Sequence, residues 1–481
     1  MSYLEHLTVQ GCKIAAEYWD NYVVLSGDCE HAISFEHEYS FNAGRYNEIK
    51  INGLQGLADY AFHDLRHVRK VFLNDTIKVM GKHVFSYCNL LQDVRLPTGI
   101  TTLPEETFIG CNKLETIVLP DNITKIERQA FRDCSRLRKI TFPSNLQYIE
   151  GSAFLNCKNL ASIDLPSSLR SIGESAFKNT GLTDITLPES ITEFGDELFR
   201  DCQKLQTVNF TSSGNVSISM FHNCQSLAYV FLSKTQMQIS SNAFKECKKI
   251  VRIRLPEGLK VIKSFAFEDC ENLESIEIPE NVEIIDPNFA KKCRKVKSIT
   301  VHPRNQHFII HQNALFTSDF KRLILYPPLC QERNFSIPEE VSSFDDNAFS
   351  SVTYLRTVIL PTHINFISIK HAFIDCTSLE TIIYEGTEEI RDNLFYFLKG
   401  RVTRVYAPYA YPKETLGGLV ITERTGQKLP DRTPTPLKVV KKNYKPIYVA
   451  ASITFVLMIS IIIFVIKVTT VQVKKPDAFA N

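Results

Sequence analysis

Thirteen cysteines give this sequence its largest supply of reactive side chains. A zinc site would need them clustered, as in C-x-x-C, and no such pair occurs. Ten of them instead lie at or near one position of a regular interval, three residues after a phenylalanine: Cys88, Cys111, Cys134, Cys157, Cys202, Cys224, Cys247, Cys270, Cys293 and Cys376. A free cysteine packs as a small apolar residue with a weak S–H donor. We therefore predict an internal column of buried thiols. Cys12 and Cys29 lie outside it, and the sequence leaves open whether they pair.

Motifs for catalysis are missing. The chain contains no glycine-rich phosphate loop, no G-x-S-x-G and no H-E-x-x-H. His307 and His311 are four residues apart, which on a helix could place both on one metal ion, but this segment has the pattern of a strand and a turn. We predict that the protein is not an enzyme and that it needs no metal or cofactor.

Two short segments carry residue types that dominate binding sites. Tyr229 and Phe231 flank Val230, and Arg252 and Arg254 flank Ile253 twenty-three residues later. In extended chain, side chains two residues apart point to the same face. Aromatic residues and arginine are the commonest hot-spot residues of interfaces, so we predict a ligand-binding site at these four residues. A structural alternative stays open, in which the aromatic pair covers an irregular coil, because residues 211–240 contain no proline.

A repeat must position these residues. One phenylalanine recurs at intervals of 22 or 23 residues: Phe62, Phe85, Phe108, Phe131, Phe154, Phe177, Phe199, Phe221, Phe244 and Phe267. Phe289 continues the series in a shifted register, and Phe349, Phe373 and Phe395 resume it after an interruption. A fixed period in this range indicates stacked structural units, each burying its apolar edge against its neighbours.

Each unit follows the pattern L-x-x-I-x-L-P-x-x-(I/L)-x-x-I-x-x-x-A-F-x-x-C. Ile163 and Leu165 have strand spacing, and Pro166 ends that strand because proline cannot donate to a ladder. Leu169 and Ile172 are three apart, which favours a tight turn of extended or 3-10 character. We therefore predict a parallel sheet on one face of the stack and short turns on the other.

The repeat resembles the BspA-like, or Treponema-type, leucine-rich repeats. DLPSSLRSIGESAFKNT and RLPEGLKVIKSFAFEDC carry the resemblance, which covers residues 60–385 or so. It implies a curved leucine-rich repeat solenoid without catalytic residues. A long array followed by a stalk, one membrane span and a short tail is similar to membrane-anchored protist members of this family. The resemblance therefore implies an outward-facing array that binds protein or glycan ligands in adhesion to host cells, matrix or other microbes.

Breaks in the repeat predict the organisation of the chain. The predicted segments are an N-terminal cap at 1–60, repeats at 61–301, an irregular coil with a protruding hairpin at 302–340, repeats and a C-terminal cap at 341–424, a proline-containing stalk at 425–446, a transmembrane helix at 447–466 and a short tail at 467–481. The predicted span has 20 residues without a charge, enough to cross a hydrocarbon core of about 30 Å.

Charge limits the partners. A net charge of +2 gives no general attraction for nucleic acid, so we predict none as a partner. The partners that we do predict are the protein or glycan ligand implied by the resemblance and the membrane implied by the apolar segment at 447–466. The lysines on the two sides of the predicted span are nearly balanced, and the N-terminus has no signal-peptide pattern. Two topologies stay open. We favour a single-pass plasma-membrane protein with extracellular repeats, and the alternative is a tail-anchored scaffold with its repeats in the cytosol.

Overall fold

The structure is a computed structural model, which describes residues 3–9, 12–18, 22–27, 47–363, 372–390 and 394–426. In these ranges the chain winds into successive coils of about 23 residues, and almost all regular structure is β-strand. A single 3-10 helix, Tyr396–Leu398, is found within the described residues. The parallel β-solenoid expected from the repeat is confirmed.

The first face of the stack is the strand face, where each coil contributes the strand that precedes the proline position. Its strands are β4 (Glu48–Asn52), β6 (Lys70–Leu73), β8 (Asp93–Arg95), β10 (Thr116–Val118), β12 (Lys139–Thr141), β15 (Asp184–Leu187), β17 (Thr207–Phe210), β18 (Tyr229–Phe231), β21 (Ser275–Ile278), β23 (Ser298–Val301), β27 (Asn334–Ser336), β29 (Thr357–Leu360), β30 (Thr381–Tyr384), β31 (Arg404–Pro408) and β34 (Glu423–Thr425). Neighbouring strands pair in parallel, with each residue opposite its equivalent one coil away, as Ile117 is opposite Ile140. Alternate residues are buried, which fits a sheet that covers a core on one side only.

The second face differs from the prediction of turns. After the proline each coil forms a two-residue strand, and these strands build a second parallel ladder, named here the short-strand face. Its strands are β5 (Gly56–Leu57), β7 (Val79–Met80), β9 (Thr102–Leu103), β11 (Lys125–Ile126), β13 (Tyr148–Ile149), β14 (Ser171–Ile172), β16 (Glu193–Phe194), β19 (Gln238–Ile239), β20 (Val261–Ile262), β22 (Ile284–Ile285) and β28 (Ser343–Phe344). The spacing of three between Leu169 and Ile172 suggested a turn, but hydrogen bonds to the next coil extend the chain instead.

The third side of each coil is a turn that is also bonded to its neighbour. Two residues per turn, four apart, adopt positive φ, such as Gln129 at 56° and Asp133 at 62°, and the equivalent of Asp133 in the next coil is Asn156 at 65°. Asn and Asp tolerate this left-handed region better than other side-chain-bearing residues, which accounts for their frequency before the cysteine. The amide of Phe131 donates to the carbonyl of Ala153 in the next coil at 2.8 Å. Where both ladders are present, the coils are thus linked by backbone hydrogen bonds on all three sides.

The phenylalanines form one continuous column inside the stack. From Phe62 to Phe267 successive rings lie nearly parallel, with centroids 5.2–5.8 Å apart. Each of these side chains is at most 1% exposed. The repeating phenylalanine is therefore a core residue, as its period predicts.

The cysteines form a second internal column, and their sulfur atoms do more than fill space. Each of the ten is buried and free, and its thiol donates to the backbone carbonyl of the phenylalanine in the preceding coil, as Cys134 does to Phe108 at 3.1 Å. Burial raises the pKa of the Cys88 thiol to about 12. This thiol therefore stays protonated at neutral pH and keeps its hydrogen bond.

The predicted hairpin in 302–340 does not protrude. β24 (Phe308–His311) and β25 (Ala314–Thr317) form it, and β25 also pairs antiparallel with β26 (Arg322–Leu325), which runs parallel to β28. Two hydrophobic cores meet here: that of the coils before the hairpin, named here the first array, and that of the coils after it, the second array. Leu315 packs into the core of the first array, whereas Ala314 and Phe316 pack into the core of the second. The sheet β24–β25–β26–β28, named here the partition sheet, is thus covered by apolar residues on both sides.

The phenylalanine column changes at this partition. The amide of Phe267 donates to the carbonyl of Phe289 at 2.7 Å, as that of Phe244 does to Ala266. Phe289 therefore occupies the position of the repeat alanine, one residue before the phenylalanine position, which agrees with the shifted register expected for it. Tyr326 takes the aromatic position instead, with its ring 5.5 Å from that of Phe349.

The ends of the array are closed by additional strands. β1 (Tyr3–Val9), β2 (Cys12–Tyr18) and β3 (Tyr22–Gly27) form an antiparallel meander, and β3 pairs in parallel with β4. Near the other end, β32 (Thr415–Leu416) and β33 (Leu419–Val420) form a short hairpin. The predicted span and tail lie outside the described residues, as does the stalk from 427 onward. Among the residues that are described, no helix is both long and apolar enough to cross a bilayer.

Candidate functional site

The four predicted binding residues come from two neighbouring coils of the strand face. β18 places Tyr229 and Phe231 on the solvent side, because Val230 between them is buried in the core. Tyr229 is 63% exposed and Phe231 57%. A Tyr-Val-Phe sequence favours a strand, and the alternation fixes which side chains face water.

The neighbours of the aromatic pair are polar. β18 pairs in parallel with β17, which places Tyr229 opposite Thr207 and Phe231 opposite Asn209. Elsewhere in the first array the outward positions are mostly polar too, with Val118 at 68% exposure the clearest exception. The two rings therefore form a local apolar spot on a hydrophilic sheet.

Arg252 and Arg254 lie on the next coil and are exposed, with Ile253 buried between them. Residues 252–254 do not form a strand, in contrast to the sequence expectation, and the ladder resumes only with β21. A similar interruption occurs at Ser162–Asp164. The alternation of exposed arginine and buried isoleucine nevertheless persists, so both guanidinium groups reach the same side as the aromatic rings.

The following coil places two carboxylates, Glu274 and the exposed Glu277, near the arginines. Within the described part of the chain neither arginine forms an ion pair. Glu274 on the following coil is bound by Lys297 at 3.0 Å, and this bond, with the nearby charge of Arg252 adding to it, holds the pKa of that carboxyl below its usual range. The two free guanidinium groups are thus available to an acidic ligand.

Sequence reasoning missed one component of this surface. Val251, immediately before Arg252, is 43% exposed. Its position precedes the strand pattern, so no alternation rule pointed to it. We name Tyr229, Phe231, Val251, Arg252 and Arg254 together the aromatic–arginine patch.

The described residues contain no group of three or more His, Cys, Asp or Glu side chains arranged to hold a metal ion. His311 lies in β24, as the strand pattern predicts, and its ring contacts Phe316 and Phe320.

The family model for the BspA type leucine rich repeat region matches the chain at residues 36–138, 124–232, 214–327 and 328–401. These stretches together span 36–401 of the 481 residues. No curated protein sequence matches the chain.

Several solved structures are similar to the fold. A leucine-rich repeat protein from Bacteroides ovatus is 20% identical, covering 72% of this chain and 92% of its own, with a TM-score of 0.43. A leucine rich cell surface protein from Faecalibacterium prausnitzii is 20% identical, covering 80% of this chain and 94% of its own, also with a TM-score of 0.43. A leucine-rich repeat protein from Eubacterium ventriosum is 19% identical, covering 60% of this chain and 95% of its own, with a TM-score of 0.38.

Proposed function

The chain belongs to the BspA-type leucine-rich repeat family, and on that premise we propose that it is a cell-surface binding protein that attaches cells to a partner through its strand face. The stack itself is a rigid support, because the turns of neighbouring coils are bonded to each other from Phe62 to Phe267 and most coils are also bonded along their strands. A rigid support loses little conformational entropy on binding. Binding chemistry is then the task of the residues between the core positions.

The aromatic–arginine patch is the single observation that carries this proposal. Two large rings, each more than half exposed, lose apolar contact with water when a partner covers them. The core does not depend on these two side chains, since Val230 supplies the core contact of β18. Exposed aromatics beside unpaired arginines are typical of interface centres.

The composition of the patch indicates its ligand. Tyr229 and Phe231 suit an apolar or planar group, and Arg252 and Arg254 suit carboxylates, which guanidinium groups bind with two parallel hydrogen bonds. We therefore propose a protein ligand that presents apolar and acidic residues together. A glycan with acidic sugars is the second ligand class, and the experiment below separates the two.

The double substitution Tyr229→Ala and Phe231→Ala should weaken attachment at least about tenfold, since hot-spot truncations cost about 2 kcal/mol or more. The measurement is binding of the fluorescently labelled full-length protein to intact epithelial cells. Trypsin treatment of those cells should abolish binding if the ligand is a protein, and enzymatic deglycosylation should abolish it if the ligand is a glycan.

Val118→Ala is the matched control, because Val118 occupies the same outward position as Phe231 on another coil. It should bind as the parent does. Equal binding by the double variant and the parent would exclude the patch as the attachment site.

Topology is tested separately. Protease added to intact cells that make the protein should digest residues 47–426, and a glycosidase should change the mobility of the protein on a gel. Protection of the repeats until the cells are permeabilised would instead support the cytosolic tail-anchored scaffold.

A further inference from the structure

The short-strand face contains a column of backbone amides, one per coil, that several coils satisfy with their own carboxylates. The amide of Glu105 donates to Oε2 of Glu127 at 3.1 Å, and the amide of Arg128 donates to Oε2 of Glu150 at 3.1 Å. In both cases the carboxylate comes from the following coil, where it directly follows the isoleucine that ends the two-residue strand, Ile126 or Ile149. The fold thus repeatedly places a carboxylate on this column.

At the next coil the pattern stops. The equivalent position is Gly173 rather than glutamate, and one coil later it is Gly195. Within residues 47–363 neither the Gly151 amide nor the Glu174 amide donates a hydrogen bond to another group of the protein. A Cβ atom on Gly173 would lie 2.5 Å from the Gly151 nitrogen, and one on Gly195 would lie 2.1 Å from the Glu174 nitrogen. The two glycines therefore let neighbouring coils approach closely at these amides, and any other residue would force the backbone to move.

A groove of about 660 Å³ opens at this place. Gly151, Gly173 and Ile149 line it, and Ser152 and Ser171 supply hydroxyl groups. Tyr148, which is 39% exposed, also lines it. The groove therefore offers polar groups together with one aromatic side chain.

Two cations line the groove, but only one is available. Lys125 is bound to Glu150 through Nζ and Oε1 at 2.7 Å. Arg128 is exposed and forms no ion pair in the described ranges. Glu174 lies on the opposite rim, two coils away from Arg128, or roughly 10 Å at the usual strand spacing.

From this arrangement we infer that the groove binds a carboxylate side chain, Asp or Glu, of an extended segment of a protein partner. The partner's carboxylate takes the place that Glu127 and Glu150 fill in the preceding coils. It accepts from the Gly151 amide and pairs with Arg128, while an aliphatic neighbour packs on Tyr148. Glu174 repels a second negative charge, so the groove selects an isolated carboxylate over a polyanion. This site is on a different face from the aromatic–arginine patch and does not depend on it.

The test uses the full-length protein labelled with ¹⁵N only at its 19 glycines. The Gly151 resonance is identified by its loss in Gly151→Ala, where the added Cβ lies no closer than 3.3 Å to any neighbouring atom. The probe is a blocked Ala-Glu-Ala tripeptide, compared with its Ala-Gln-Ala analogue and with sodium acetate. The Gly151 amide should shift in a saturable manner with the glutamate peptide and not with the glutamine analogue.

Two surface substitutions should change the affinity for the glutamate peptide in opposite directions. Arg128→Gln should lower it about fivefold, and Glu174→Gln should raise it about two- to fivefold, since each changes one exposed charge. Arg136→Gln, an exposed arginine away from the groove, should change nothing.

Three results would overturn the inference: no shift of Gly151 with the glutamate peptide, an equal shift with the glutamine analogue, or acetate binding as tightly as the peptide. The first two remove the carboxylate site, and the third removes the protein segment as its ligand. The Gly151 shifts do not depend on the outcome of the cell-attachment experiment with the Tyr229→Ala, Phe231→Ala variant, because the two sites lie on different faces.

Discussion

Phe154→Ala should destabilise the protein by about 3–5 kcal/mol, the usual loss for removing a fully buried phenylalanine. Phe154 is 0% exposed, and its ring lies 5.2 Å from those of Phe131 and Phe177 on its two sides. Neither neighbour can move into the cavity, because each is held by backbone hydrogen bonds to further coils. In a stack each coil contacts only its neighbours, so the loss of stability should be largest at this coil and the coils next to it.

The measurement is equilibrium unfolding in urea, with hydrogen exchange to locate the loss. Exchange should accelerate most in the coils around residues 131–177. Phe231→Ala is the control, since its ring is 57% exposed and its removal should cost far less. A Phe154→Ala protein that unfolds at the same urea concentration as the parent would refute the assignment of the column as core.

Arg322→Gln should destabilise the protein by roughly 3 kcal/mol at neutral pH, as expected when one partner of a buried ion pair is removed. Arg322 binds Asp345 through two hydrogen bonds, Nε–Oδ1 at 2.5 Å and Nη2–Oδ2 at 2.7 Å. It also donates to the carbonyl of Ile285 at 3.3 Å. The carboxylate is only 5% exposed, so without the arginine its charge would be left unpaired beneath the partition sheet.

The loss should depend on pH. Burial raises the pKa of Asp345 above its ordinary value, Arg322 opposes that rise, and the neighbouring Asp346 adds to it. An acid whose pKa is raised on folding destabilises the folded state increasingly as pH climbs from its unfolded pKa, about 3.9, to its folded pKa. Removing Arg322 raises the folded pKa further. The difference in unfolding free energy between parent and variant should therefore be small near pH 4 and grow toward pH 7.

Arg304→Gln is the matched control for this pair. Arg304 binds Glu280 at 2.8 Å on the surface, where its side chain is 65% exposed, so its loss should cost about 1 kcal/mol or less. If Arg322→Gln lost the same stability at pH 4 as at pH 7, the buried carboxylate would not be the cause.

The sequence predicts the stack well because the core repeats in one dimension. The interval from Phe62 to Phe267 requires a column, and the alternation in Tyr229-Val-Phe231 determines which rings face solvent; both are found in the structure. The pattern within a single repeat suffices to predict the core, since each coil packs against a near copy of itself.

Other features depend on contacts between coils that no single repeat reveals. The two-residue strands exist because neighbouring coils supply their hydrogen-bond partners, so a spacing of three was mistaken for a turn. Ala314, Leu315 and Phe316 are all apolar, and only the presence of a core on each side of β25 shows why. The groove at Gly151 lies where Gly173 takes the position that Glu127 and Glu150 hold in the preceding coils, which a sequence motif does not mark.

The bonding of every coil to an almost identical neighbour has a consequence for how this protein can change its length. Phe–Phe stacking, the thiol-to-carbonyl hydrogen bond and the backbone hydrogen bonds between turns are the same above and below a coil between Phe85 and Phe154. Duplicating or deleting one whole 23-residue stretch of the gene would therefore rebuild a complete interface and alter the height of the array by about 4.8 Å. Such a protein can acquire a taller or shorter spacer in a single genetic event, whereas the stretch containing Tyr326 offers no equivalent copy to exchange.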